Sequence, residues 1–248
     1  MPDRVVFGVR PVEELCRARP RAVAVVYVAE GHRSPEVDRA VAVARDRAIA
    51  VESRPRALIQ ALAGQAAHQG IVAVAGEYRY AELGELLAAS AAASEAPLLV
   101  LLDGITDPQN FGAIVRSAEV LGAHGVIIPD AHAAPVTGAV VKASAGATER
   151  MRIARVANLL KTIDALRERA VLVWGAAADR GVSLVATDLR GPTAFAIGAE
   201  GRGMREAVAR RCDGLLRIPQ RGQVASLNAS VAAALLLYEA WRQRGGQG

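Results

Sequence analysis

The chain alternates short apolar runs with amphipathic stretches, and the spacing of those runs sets the first expectations about its fold. In the first third, AVAVVYV (residues 22–28) and GIVAVAG (residues 70–76) read as strands. Helical patterns over residues 36–48 and 55–63 separate them, and this alternation predicts a small α/β unit. Residues 78–97, YRYAELGELLAASAAASEAP, turn polar and then rich in Ala and Ser, which predicts a helical connector or linker. The expected division is therefore a first domain over 1–78, a linker over 79–97 and a second domain over 98–248.

From residue 98 the alternation becomes more regular. Strands are expected at 98–102, 125–128, 171–174, 194–197 and 215–218, and helices at 113–121, 136–143, 156–167, 204–210 and 227–244. The strand candidates are almost continuously apolar, as parallel strands covered on both faces must be. A ligand belongs in the loops at their carboxyl ends.

Composition narrows the class. The chain has 248 residues, 52% of them hydrophobic, enough for one large domain or two modest ones. The opening Met-Pro-Asp-Arg lacks a basic-then-apolar leader pattern, and no apolar run approaches the ~18 residues of a membrane span, so a cytoplasmic protein is expected. Cys16 and Cys212 stand far apart and read as packing residues. His32, His68, His124 and His132 form no ligand spacing, so no metal is expected; His68 alone, in HQG, is a candidate for RNA contact. Residues 1–97 hold 12 Arg against 12 Asp and Glu, whereas residues 98–248 hold 18 Lys and Arg against 13 Asp and Glu, and only Lys142 and Lys161 are lysines. Arginine-dominated positive charge suits phosphate contacts and points toward nucleic acid, although a general arginine bias would leave the same trace.

Three loops after strands carry the candidate chemistry. DPQNFGAIVR (residues 107–116) enters a helix but matches neither a dinucleotide-binding G-x-G-x-x-G nor a phosphate-loop G-K-[ST]. In AIGAEGRGM (residues 196–204), Gly198, Gly201 and Gly203 surround Glu200 and permit close approach of backbone to a ligand. In RIPQRGQVASLNASVAAALLLYEAW (residues 217–241), a strand end meets Pro219 and Gly222, and then Ser226, Asn228 and Ser230 open a long helix.

Taken in order, these segments resemble the TrmH-like RNA 2′-O-ribose methyltransferases of the SPOUT superfamily. The match reads N-x-G-x-x-x-R at Asn110, Gly112 and Arg116, then G-x-E-x-x-G at Gly198, Glu200 and Gly203, then I-P-x-x-G-x-x-x-S-L-N-x-S from Ile218. Within that family the chain looks most like the group that modifies a guanosine in the peptidyl-transferase region of 23S rRNA. The resemblance implies an α/β fold whose C-terminal SPOUT domain has a parallel sheet and a deep trefoil knot. A small ribosomal-protein-like α/β domain that binds RNA would precede it. S-adenosyl-L-methionine is the implied cofactor, held by Gly198, Gly203, Ile218, Pro219 and Leu227. Arg116, Asn110, Glu200, Ser226 and Asn228 are the implied catalytic group, and residues 106–111 the implied RNA-facing wall. The stripe VAAALLLYEAW (residues 231–241) would belong to a homodimer interface. A tRNA or another rRNA loop as substrate, as in the thiostrepton-resistance group, and an inactive RNA-binding protein of the same fold are the alternatives. A nucleotide-dependent oxidoreductase is disfavoured by the missing fingerprint.

Overall fold

The structure, a computed structural model, describes residues 4–32, 34–223 and 226–246. It divides into two compact units, one of Met1–Arg79 with Pro135–Arg150, the other of Tyr80–Ala134 with Met151–Gly248.

The first unit is built on a four-stranded sheet of β1 (Arg4–Phe7), β2 (Val23–Ala29), β3 (Val51–Arg54) and β4 (Ile71–Ala75), in the order β1-β4-β2-β3. β4 runs antiparallel to both β1 and β2, and β3 runs parallel to β2. The helices are α1 (Val9–Ala18), α2 (Pro35–Asp46) and α3 (Arg56–Ala63). Phe7, Ala29, Ile59 and Val72 form an apolar cluster of this unit. The excursion 135–150 packs into this unit. Gly138 lies so close to the Val5 carbonyl and the Phe7 ring that a β-carbon would sit 2.3 Å from that oxygen. The Arg4 guanidinium donates to both carboxylate oxygens of buried Glu149, at 2.8 and 3.2 Å, and the Tyr78 hydroxyl donates to the Thr148 carbonyl at 3.0 Å.

The second unit opens with α4 (Leu83–Ala92), closed by a reciprocal Glu82–Glu85 capping box. Its strands are β5 (Leu98–Asp103), β6 (Gly125–Pro129), β7 (Ile153–Val156), β8 (Leu172–Ala177), β9 (Val182–Ser183), β10 (Thr193–Gly198) and β11 (Gly214–Arg217). They form one parallel seven-stranded sheet in the order β7-β6-β5-β10-β8-β11-β9. The remaining helices are α5 (Pro108–Val120), α7 (Leu159–Arg167), α8 (Glu206–Arg211) and α9 (Ala229–Gln243), while α6 (Gly138–Ala143) lies in the first unit's excursion. Leu86, Leu159, Ile163 and Val208 bury one sheet face through Leu99, Leu101, Ala194 and Ala196, and α9 packs on β10 with α5 beside it.

Two expectations change here. The helix of the expected 79–97 connector is part of the second unit, because Leu86 is fully buried in that unit's core. The helix expected at 113–121 begins five residues earlier, at Pro108, because Asp107 caps it by accepting from the Gln109 and Asn110 amides at 3.2 and 2.9 Å.

Candidate active site

The carboxyl ends of β5 and β10 lie side by side, with Gly198 paired to Asp103. The sheet order reverses at this point, where α/β sheets place ligands. After Gly198 the chain makes a tight turn in which the Gly203 amide donates to the Ala199 carbonyl at 2.8 Å, with Gly201 at φ 78° and Gly203 at φ 66°. The turn folds back until a β-carbon on Gly198 would meet the Gly203 carbonyl carbon at 2.1 Å, so only glycine fits at the strand end. Glu200 is lifted to the exposed crest of the turn.

Asp103 fixes where this turn leaves the sheet. Its buried carboxylate accepts from the Arg205 backbone amide at 2.8 Å and from Arg205 Nε at 2.7 Å. The sequence pattern pointed to neither residue, although an aspartate closing the apolar run LLVLLD is the kind of signal that marks one.

A cavity of about 530 Å³ opens beside the turn, within the size range of small-molecule sites. Gly198, Glu200, Gly203, Ile218, Ser226 and Leu227 line it, as does Met204. Ala176, near the end of β8, and Asp179 and Arg180, just beyond it, line it too and carried no motif that would have marked them. Pro219 is exposed and is not among the lining residues.

At the rim, three of the expected catalytic side chains meet. The Asn228 amide donates to Asn110 Oδ1 and to Glu200 Oε2, both at 2.9 Å, and the Asn110 amide donates to Glu200 Oε2 at 3.3 Å. Asn228 Oδ1 in turn accepts from the Ser230 backbone amide at 2.9 Å, so the α9 cap orients the whole group. Each side chain is placed by an element boundary: the first turn of α5, the glycine turn, and the N-cap of α9. Arg116 does not join them. It lies six residues beyond Asn110 on α5, about 9 Å along the axis and roughly 120° around it. There it is exposed, with no hydrogen bond or ion pair among the described residues.

The histidines and cysteines settle differently. His68 is buried, its Nδ1 accepting from the Gly70 amide at 3.0 Å and its Nε2 facing Gln60 Oε1 at 3.2 Å. It builds the turn before β4 and is not available for RNA, which corrects the expectation from HQG. Burial pushes the thiols of Cys16 and Cys212 up to about 11, as suits packing residues. Among the described residues no His, Cys, Asp and Glu cluster could hold a metal, and no helix is long and apolar enough to cross a membrane.

Known proteins match the chain along most of its length. Residues 97–238 match the SpoU rRNA Methylase family, and residues 5–81 match the RNA 2′-O ribose methyltransferase substrate binding family. The 23S rRNA (guanosine-2′-O-)-methyltransferase RlmB of Pseudomonas syringae is 41% identical over 245 residues, covering 96% of this chain and 95% of that one. The SpoU methyltransferase AviRb of Streptomyces viridochromogenes, solved in complex with the cofactor AdoMet, superposes with a TM-score of 0.79 at 29% identity, over 98% of this chain and 90% of that chain. An AdoMet-bound rRNA methyltransferase from Sinorhizobium meliloti gives a TM-score of 0.77 at 25% identity, over 97% and 87%.

Proposed function

Since the chain belongs to the SpoU rRNA methylase family, as an S-adenosylmethionine-dependent RNA 2′-O-ribose methyltransferase, we propose that it methylates a guanosine in the peptidyl-transferase region of 23S rRNA. The 41% identity over nearly the whole chain to a 23S rRNA (guanosine-2′-O-)-methyltransferase supports this target, and the meeting of Asn110, Glu200 and Asn228 beside the Gly198 cavity supports the chemistry.

The cavity fits the cofactor. Gly198 lets the turn fold back on the strand end at the cavity wall, and the lining joins apolar Met204, Ile218 and Leu227 to polar Glu200 and Ser226. Gly198, Gly203, Ile218 and Leu227, which line it, are assigned to hold it. When bound, S-adenosylmethionine supplies an electrophilic methyl group for the ribose oxygen. The chain's own task is alignment, which can be worth ~7–11 kcal/mol, and management of the hydroxyl proton. Two amides hold Glu200 Oε2, while Oε1 has no hydrogen bond among the described residues. We assign Glu200 as the group that accepts the 2′-hydroxyl proton, with the target phosphate as the other available acceptor. Arg116 remains a cation, since a guanidinium does not deprotonate in a protein. Its role is to bind the target phosphate and stabilise negative charge developing on the 2′-oxygen. Ser226, exposed at the cavity, is assigned to the ribose.

Two finer features of the reading concern the chain as a whole. The substrate-binding function is assigned to the first unit, and the trefoil knot of the family to the second, supported by two separate parts of the chain, residues 198–204 and Ile218 with Gln220, Ser226 and Leu227, lining one cavity. A homodimer is supported by exposed apolar residues on neighbouring helices, Val120 on α5 with Val231, Leu235 and Tyr238 on α9. An rRNA substrate places the protein in the cytoplasm.

The test is transfer of labelled methyl to protein-free 23S rRNA and to total tRNA, followed by mapping of the modified nucleotide. Label in a guanosine ribose of 23S rRNA is the expected result. Label confined to tRNA, to another rRNA loop or to a base overturns the substrate assignment.

A further inference from the structure

The first unit contains a cavity of about 710 Å³ that methyl transfer does not use. Its lining includes Arg10, His32, Arg39, Gln69 and Lys142, with Glu36 as the opposing carboxylate. Arg10 is exposed and has no hydrogen bond or ion pair among the described residues, and Arg39 makes a 3.6 Å contact with Glu13 from a largely exposed position. Lys142 is brought in by the 135–150 excursion, its ammonium donating to the Ala67 carbonyl at 2.6 Å and lying 5.6 Å from the Phe7 ring centre. The His32 ring rests against Gly70, where a β-carbon would come within 2.3 Å, and it lines the cavity. Gln69, held at φ 53°, accepts from the Val9 amide at 3.2 Å and so fixes the floor. Left-handed backbone at a residue other than glycine is held by its surroundings, and here the α1 start holds it.

The charge of the whole unit has the same sign. Its residues, 1–79 with 135–150, hold 14 Lys and Arg against 10 Asp and Glu, which leaves 16 against 15 for the second unit. His68, behind the cavity wall, has its basicity lowered first by burial and then by the positive field of Arg56, His32 and Lys142.

Resting on the reading that the chain acts on RNA, we infer that this cavity grips one unpaired nucleotide of that RNA at a distance in sequence from the methylated ribose. Arg10, Arg39 and Lys142 hold its phosphates and His32 stacks on its base. Unstacked bases on aromatic planes with basic side chains on the flanking phosphates are how proteins read irregular RNA. An anion-binding role explains why four cationic or imidazole groups converge on a cavity lined by one carboxylate, Glu36, with Glu13 reaching only Arg39 from outside it.

The test uses the full chain with a fluorescent single-stranded RNA oligonucleotide and with protein-free 23S rRNA, titrated across salt. The Arg10→Gln/Arg39→Gln pair is expected to weaken RNA binding roughly tenfold and to reduce the slope of log affinity against log salt by about 1.4, the share of two single-strand phosphate contacts. A matched pair, Arg21→Gln/Arg47→Gln, removes the same charge from exposed positions outside the cavity and is expected to change binding little. Lys142→Gln gives a second variant, and a thermal melt reports folding of each. Equal weakening by both pairs, or none by either, overturns the site. Calorimetric titration with S-adenosylmethionine separates this outcome from failure of the functional reading: cavity variants keep cofactor affinity, whereas a wild-type chain that binds RNA but transfers no methyl fails on function alone.

Discussion

Gly198 tolerates substitution least of the residues around the reacting group, because its neighbours in the returning turn are backbone atoms that have nowhere to go. Gly198→Ala is expected to abolish measurable S-adenosylmethionine binding in calorimetry while the thermal melt stays cooperative. Glu200 and Arg116 separate proton acceptance from charge stabilisation. Glu200→Gln keeps the amide contacts but loses the acceptor, and turnover is expected to fall ~10²–10⁴-fold with cofactor affinity retained. Arg116→Lys keeps the charge but loses the fork, and is expected to raise the KM for RNA as well as to slow turnover. Retention of most turnover by Arg116→Lys would remove the bidentate role. Of the residues legible in the sequence, Asn110, Glu200 and Asn228 converge, while Arg116 stands apart on the same helix as Asn110. Motif spacing names candidate residues; with the helix expected only from residue 113, it does not put Asn110 on the helix that carries Arg116 to another side. The histidines show the same limit: HQG drew notice to His68, which is structural, and the cavity-lining ring is His32, which had no motif.

At the level of elements, the strands that the hydrophobic pattern found and those it missed divide by position. β2, β4, β5, β6, β8, β10 and β11 lie inside their sheets and read as apolar runs. β1, β3, β7 and β9 are edges, two to four residues long, and went unread. An edge strand is defined by its partner more than by its own pattern; β1 pairs with β4, whose register places Arg4 opposite Ala75. The 135–150 excursion was invisible for the same reason, since its partners in β1 and α1 are distant in sequence. Glu149 is its buried anchor, and Glu149→Ala leaves Arg4 without its carboxylate. Loss of about 3 kcal/mol in denaturant unfolding is expected, with cofactor affinity of the second unit intact. On α9, Tyr238→Glu is expected to convert a dimer to monomer in analytical ultracentrifugation; a wild-type chain that sediments as a monomer would end the dimer assignment.

For the molecule as a whole, the division of charge depends on where the chain is cut. A cut at residue 97 leaves the first part neutral, yet the compact units place 14 cationic against 10 anionic residues in the first, because 80–97 carries three glutamates into the second unit and 135–150 returns Lys142 and Arg150. The electrostatic case for RNA is thus strongest in the unit where linear reading found none. Stability should respond to acid through two histidines. His124 accepts from the Leu98 amide at 3.1 Å, and burial lowers its basicity below the ordinary 6.5, as it does for His68. Because the folded form resists protonation that the unfolded chain accepts, stability is full above pH 6.5 and declines as pH falls below it. The melting temperature is expected to drop between pH 7 and pH 5.5, and His124→Asn, which keeps an acceptor without the titration, to flatten that drop. The excursion has one further consequence. Three peptide links, at 79–80, 134–135 and 150–151, join the units. The first unit is therefore not a portable cassette: a graft of the N-terminal segment onto another enzyme would arrive without the anchor for Arg4, and recombination between relatives can exchange it intact only if both pieces travel together.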